Sequence, residues 1–164
     1  MTKNNQKGFT LVELLVVVAI IVVLAGVLLL AINPAALLAK GRDARRLEDM
    51  EALNKALALA LADGEITLTA NPSSCTTCTS LSGTQVVTGA GYVKYALPTG
   101  KTGLGKYLAA LPVDPLNTGT SVYTFGSTLT NYELNLVLES ADNAAKMTVD
   151  GGNSATVLEV GTSL

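Results

Sequence analysis

From Leu14 to Ile32 the chain reads LLVVVAIIVVLAGVLLLAI, nineteen residues without a polar side chain. A helix that is apolar on every face needs lipid or other helices around it, so no small soluble core accounts for this run. At a rise of about 1.5 Å per residue it spans roughly 28 Å, close to the hydrocarbon thickness of a bilayer. An ordinary secretory signal carries about 7–15 apolar residues and then a small-residue cleavage site. This run is longer and leads into Ile32-Asn33-Pro34, without a clear A-x-A site. Read alone, it is a signal anchor.

The flanks narrow that reading. Residues 1–8, MTKNNQKG, are polar and carry Lys3 and Lys7; Glu13 then stands at the start of the apolar run. A carboxylate on a spanning helix costs about 2.5–3.5 kcal/mol at the bilayer centre and less near the interface. Snorkelling to the headgroups is the plain account of it. Glu13 also lies four residues after Phe9, about one helical turn.

The string Lys7-Gly8-Phe9-Thr10-Leu11-Val12-Glu13-Leu14, followed by the apolar run, resembles the type IV pilin precursor motif, shared with the pseudopilins of type II secretion. The resemblance implies that a prepilin peptidase cuts between Gly8 and Phe9. Phe9 then becomes the N-methylated N-terminus, and Glu13 is the carboxylate needed for assembly. It further implies a single-pass precursor in the inner or cytoplasmic membrane, with its N-terminus inside. An inner-membrane assembly platform would exchange its lipid surroundings for identical subunits in a cell-surface or extracellular filament. Cleavage exposes a cationic α-amino group on Phe9. In a staggered bundle each Glu13 can face a neighbour's amino group, and in low dielectric that pairing favours one register over those that leave a charge unpaired. The count of basic residues opposes this topology. Lys3 and Lys7 precede the run, whereas Lys40, Arg42, Arg45 and Arg46 follow it. The motif is the stronger guide.

Beyond the run, Asn33-Pro34 either kinks the helix or caps a restarted one with Pro34 at its first position. Helical pattern resumes: Leu47, Met50, Leu53 or Asn54, Leu57 and Leu61 are spaced by three and four, with Glu48, Asp49, Glu51 and Lys55 between them. One long helix from Thr10 to Ala62 is expected, half apolar all round and half amphipathic, ended by Gly64. The cluster Lys40–Arg46 is a solvated or headgroup-facing stretch, or pairs with acidic residues of a neighbouring subunit.

After Gly64 the pattern is β. Short strands are expected at 66–69, 121–125, 132–139, 147–149 and 156–160, with a Ser/Thr/Gly-rich loop over 71–91 and a helical turn or two in 104–111. In 132–139, Tyr132, Leu134, Leu136 and Leu138 alternate with Glu133, Asn135, Val137 and Glu139, as in a half-buried strand. Adjacent strands with short turns imply an antiparallel meander, packed by one face on the amphipathic helix. The fold class is α+β. It matches the pilin fold, a long N-terminal helix on a small antiparallel sheet. The organisation read from the chain is a leader at 1–8, a transmembrane or filament-core helix at 9–33, an amphipathic helix at 34–63 and a β-rich head at 64–164. The segment Leu111-Pro112-Val113-Asp114-Pro115, with Tyr123 and Tyr132-Glu133-Leu134, also resembles the C-terminal region of major pseudopilins.

Few chemical sites are available. With no histidine, Ser-His-Asp and Cys-His catalysis are unavailable, as are zinc sites with imidazole ligands. Gly89-Ala90-Gly91 and Gly151-Gly152 read as turns, so no glycine loop cradles phosphate. Cys75 and Cys78 form either a small disulfide loop or a pair of free thiols; zinc would need two more ligands, and no βαβ context supports a thioredoxin-like role. Pseudopilins bind calcium in a C-terminal loop, and here Asp142, Asn143, Asp150 and Asn153 offer oxygen atoms, but in no ligand spacing. No metal or other cofactor is expected. Net charge is −2. Loss of Lys3 and Lys7 leaves nine basic residues against thirteen acidic ones, or −4, which gives no general attraction for nucleic acid. The expected function is therefore structural and not enzymatic: a subunit of a type IV pilus-like filament. A major pseudopilin is the near alternative. A membrane-anchored binding domain that keeps its leader and never assembles is the distant one.

Overall fold

The computed structural model describes residues 8–71 and 75–162. The chain divides into two compact units, with the boundary between Leu38 and Ala39. The leader expected at 1–8 lies outside the described residues except for Gly8.

In the first unit, α1 spans Leu11–Ile32. It has no Pro and no polar residue after Glu13, and its apolar side chains are exposed from Leu11 to Leu29. It ends at Asn33, which adopts a left-handed conformation with φ 44°. The second helix, α2, begins at once and spans Pro34–Ala62. The Asn33 carbonyl and side-chain oxygens both accept from the Ala36 N–H, at 3.1 and 3.4 Å. Pro34 therefore sits at the first helical position, where its missing N–H removes no bond. The expected single helix is in fact two, and of the two readings of Asn33-Pro34 the structure takes the cap and restart.

In the second unit α2 buries Met50, Leu53, Ala56, Leu57 and Ala60 on one face, with Leu47 and Leu61 partly buried beside them. Gly64 ends the helix with φ 62°; its N–H donates to Leu61 O, and that of Glu65 to Ala60 O. This paired closure satisfies two terminal carbonyls and favours glycine at the left-handed position.

The buried face of α2 shares one core with the strands. The strand β1 (Thr67–Leu68) pairs antiparallel with β2 (Tyr95–Ala96), which the sequence reading lacked. The strands β3 (Thr124–Ser127), β4 (Tyr132–Leu136) and β5 (Leu158–Gly161) form an antiparallel sheet in that order. Phe125, Leu134, Leu136 and Leu158 join Met50, Leu53 and Leu57 in the core. Two tyrosines fix the sheet to the helix: Tyr123 donates to Asp49 at 2.8 Å and Tyr132 to Asn54 at 2.7 Å. The fold is α+β, as expected.

Three local expectations fail. The strand placed at 121–125 begins three residues later, because Thr118 and Ser121 close a tight turn on each other. The segment 147–149 is no strand; Ala144–Thr148 is a 3₁₀ turn that inserts only Met147 into the core. Glu133, expected on an open face of β4, is buried and accepts from Asn135 at 2.5 Å.

Candidate functional site

The processing and assembly residues lie at the entry to α1. Gly8 and Phe9 precede the helix and are exposed, Phe9 to 90%. An added methyl at Gly8 would meet nothing within 4 Å, so the backbone on its side of the Gly8–Phe9 bond is open. Thr10 is the N-cap, with extended backbone. The Glu13 N–H donates to Thr10 Oγ1 at 3.3 Å, while Glu13 Oε2 accepts from both Thr10 N and Thr10 Oγ1 at 2.8 Å. The two residues form a reciprocal capping box, which satisfies helix-terminal donors that lipid would leave unpaired. It also turns the carboxylate of Glu13 back toward the N-terminus of the helix, the end at which cleavage would create the amino group. A carboxylate at this end is further favoured by the helix dipole.

Behind the box, the window Leu11–Leu29 is long and apolar enough to cross a membrane. An exposed apolar helix of this kind is suited to lipid or to lateral contact with other helices. Residues 3–29 match the family model described as "Prokaryotic N-terminal methylation motif". The chain thus carries the prepilin signal of type IV pilins and pseudopilins, and with it the implied processing by a prepilin peptidase, anchoring in a membrane and assembly into a filament. No curated protein and no solved structure matches the chain.

The basic cluster after α1 divides: Lys40 and Arg45 are exposed, as expected of a solvated stretch, whereas Arg42 is half-buried and Arg46 turns into the fold. Arg46 is 0% exposed, and so is Asp43. Arg46 donates Nε and Nη2 to Asp114, at 2.5 and 2.9 Å, and Nη1 to Asp43 at 3.1 Å; it also pairs with Glu139 at 2.5 Å. Arg42 makes its own pair with Glu139 at 2.5 Å, and Lys40 pairs with Asp142 at 2.5 Å. The cluster's cations, Arg45 aside, thus pair with carboxylates of the same chain.

Two guanidinium groups thus meet three carboxylates, and backbone N–H groups cover the surplus charge. Asp43 accepts from Glu139 N and Ser140 N, both at 2.9 Å, and from Asn143 Nδ2 at 3.2 Å. Burial pushes the Asp43 carboxyl up, but those backbone bonds outweigh it and hold it at about 2. Burial likewise opposes ionisation of Asp114, and the Arg46 bonds and the N–H groups of Leu116 and Asn117 hold it low. Hydrogen bonds from Arg42 lower Glu139 despite its partial burial. Nearby, burial raises the Asp49 carboxyl, against the bond from Tyr123.

The signal for this network was in the spacing. Asp43 and Arg46 continue the stripe of Met50, Leu53, Leu57 and Ala60 backward in steps of four and three. Their charge disguised them as surface residues.

Cys75 and Cys78 form a disulfide. Of the four oxygen-bearing residues considered for calcium, Asp150 and Asn153 line one pocket with Glu133 and Glu159, and Asp142 and Asn143 do not line it. Asp142 and Asn143 serve Lys40 and Asp43, whereas Asp150 accepts from Gly152 N at 3.1 Å and Glu159 N at 2.7 Å. Among the described residues no group of three or more Asp, Glu or Cys side chains is placed to hold a metal.

Proposed function

We propose that this chain is the structural subunit of a type IV pilus-like filament, cut after Gly8, N-methylated at Phe9 and polymerised through α1. One observation carries the reading. A helix whose apolar side chains lie exposed from Leu11 to Leu29 holds a single carboxylate, turned toward the end where cleavage would release an amino group. Packed among identical helices, the apolar faces lose their need for lipid, and Glu13 of one subunit selects the stagger that brings it to the Phe9 amino group of another. The membrane-embedded precursor, N-terminus inside, is the monomer pool, and the head becomes the filament surface. The work is polymerisation rather than catalysis.

A major pseudopilin of a type II secretion system is the second reading. The resemblance of Leu111–Pro115, Tyr123 and Tyr132-Glu133-Leu134 to the C-terminal region of major pseudopilins supports it, and Leu111, Asp114, Tyr123 and Tyr132 are all buried here.

The test replaces Glu13 by Gln and by Ala in the full chain, and follows cleavage and filaments in the same cells. Cleavage after Gly8 should persist and filaments seen by electron microscopy should vanish. Normal filaments with either variant would refute the pairing role.

A further inference from the structure

The helix α2 is held to the rest of the head in two different ways. From Met50 to Ala60 its buried residues are Met, Leu and Ala. Before Met50 the buried ones are Asp43 and Arg46, and Leu47 is only partly buried. The segment 139–146, which meets this charged stretch, is built alike. Leu138 and Met147 stand at its two ends and belong to the apolar core, while between them only Ser140 is buried. Neither side of this contact contributes a fully buried apolar side chain.

Polar bonds join the two sides. Asp43 accepts from the N–H groups of Glu139 and Ser140 and from Asn143 Nδ2. Glu139 accepts from Arg42 Nε, at 3.2 and 3.0 Å to its two oxygens, and pairs with Arg46. At the rim Lys40 pairs with Asp142, both of them exposed, where an ion pair contributes little. Arg46 has a separate hold on Asp114, whose carboxylate also accepts from the N–H groups of Leu116 and Asn117.

Apolar burial resists opening in proportion to the apolar area that opening exposes. Lifting 139–146 away from α2 exposes Ser140 and charged groups rather than core. Charges released from burial regain hydration, which offsets much of the attraction they lose. An opening of this kind therefore lies toward the low end of local opening free energies, well below that of the core. We propose that the segment 139–146 is a strap, anchored at Leu138 and Met147, which lifts off Arg42, Asp43 and Arg46 as a unit while the core around Leu57 and Leu134 stays closed. Lifting frees the carboxylates of Asp43 and Glu139 for cations from outside the chain. Arg46 stays on Asp114, so the start of α2 keeps one hold on the head.

The test is amide hydrogen exchange on the full chain in detergent micelles, read residue by residue. After correction for intrinsic rates, Glu139 and Ser140 should exchange at least about tenfold faster than Leu134 in β4 and Leu57 in α2. Asp43→Asn removes the charge and keeps the size; it should speed Glu139 and Ser140 by about tenfold more and leave Leu134 and Leu57 within about twofold. Asn143→Ala deletes one of the three donors to Asp43 and should act in the same direction by about threefold, a milder change that tests the strap even where Asp43→Asn does not fold. Equal exchange at all four amides of the unaltered chain would overturn the proposal, because the segment would then open only with the whole head. So would variants that speed Leu134 and Leu57 as much as Glu139 and Ser140.

Discussion

From Leu11 to Leu29 the chain leaves its apolar side chains exposed and holds its one carboxylate, Glu13, on its own Thr10. From Arg42 to Glu139 it does the reverse, burying Arg46, Asp43 and Asp114 and satisfying them with partners from the same chain. The first region is physically incomplete: its surface demands lipid or other helices. The second pairs its buried charges within the same chain. In the proposed filament subunit, this division lets the helix change surroundings while the head keeps its own.

The sharpest way to break the comparison is to move a charge from the region that tolerates it to the region that does not. Val18→Asp puts a carboxylate on the apolar face of α1, at about 2.5–3.5 kcal/mol per subunit in a bilayer-like interior. Filaments should fall below detection by electron microscopy, while the thermal unfolding of the head shifts by less than about 0.5 kcal/mol.

Next in size is the buried network. Arg46→Ala leaves Asp43, Asp114 and Glu139 without their shared cation and should destabilise the head by about 3–5 kcal/mol in denaturant melts. A loss under about 1 kcal/mol would mean that the head does not depend on this cluster.

Acid should act on the same cluster. The carboxyls of Asp43, Asp114 and Glu139 are all held below their ordinary values. Their contribution to stability is full above the unfolded carboxylate range, about pH 4, and is lost as pH falls toward about 2, where Asp43 titrates. Unfolding followed from pH 6 to pH 2 should show the head weakening below about pH 4, and Arg46→Ala should flatten that dependence.

Smaller still, Thr10→Ala removes the N-cap and should cost about 1 kcal/mol of helix stability, read as fraying of the first turn of α1 by hydrogen exchange. Least of all, Lys55→Ala removes an exposed pair with Glu51 and should change head stability by about 0.2–0.5 kcal/mol.

Much of this was legible in the sequence, for identifiable reasons. The run from Leu14 and the string around Glu13 are local signals, and no tertiary contact is needed to read them. The stripe of Met50, Leu53 and Leu57 and the stop at Gly64 are likewise written at helical spacing. The head was less legible because its elements depend on distant partners. β2 is two residues long and exists through its pairing with β1. Met147 looked like part of a strand, but the chain there turns on Asn143 and Ser140. Asp43 and Arg46 kept the helical spacing of core residues, and only the positions of Asp114 and Glu139, 68 and 96 residues away, reveal why charge belongs there.

The central claim is that α1 is a processed assembly helix, and the mass of the mature N-terminus tests it most directly. Filaments sheared from cells should yield subunits that begin at Phe9 with one added methyl group on the α-amine. Subunits that begin at Met1 or Thr2, with Lys3 and Lys7 retained, would contradict it.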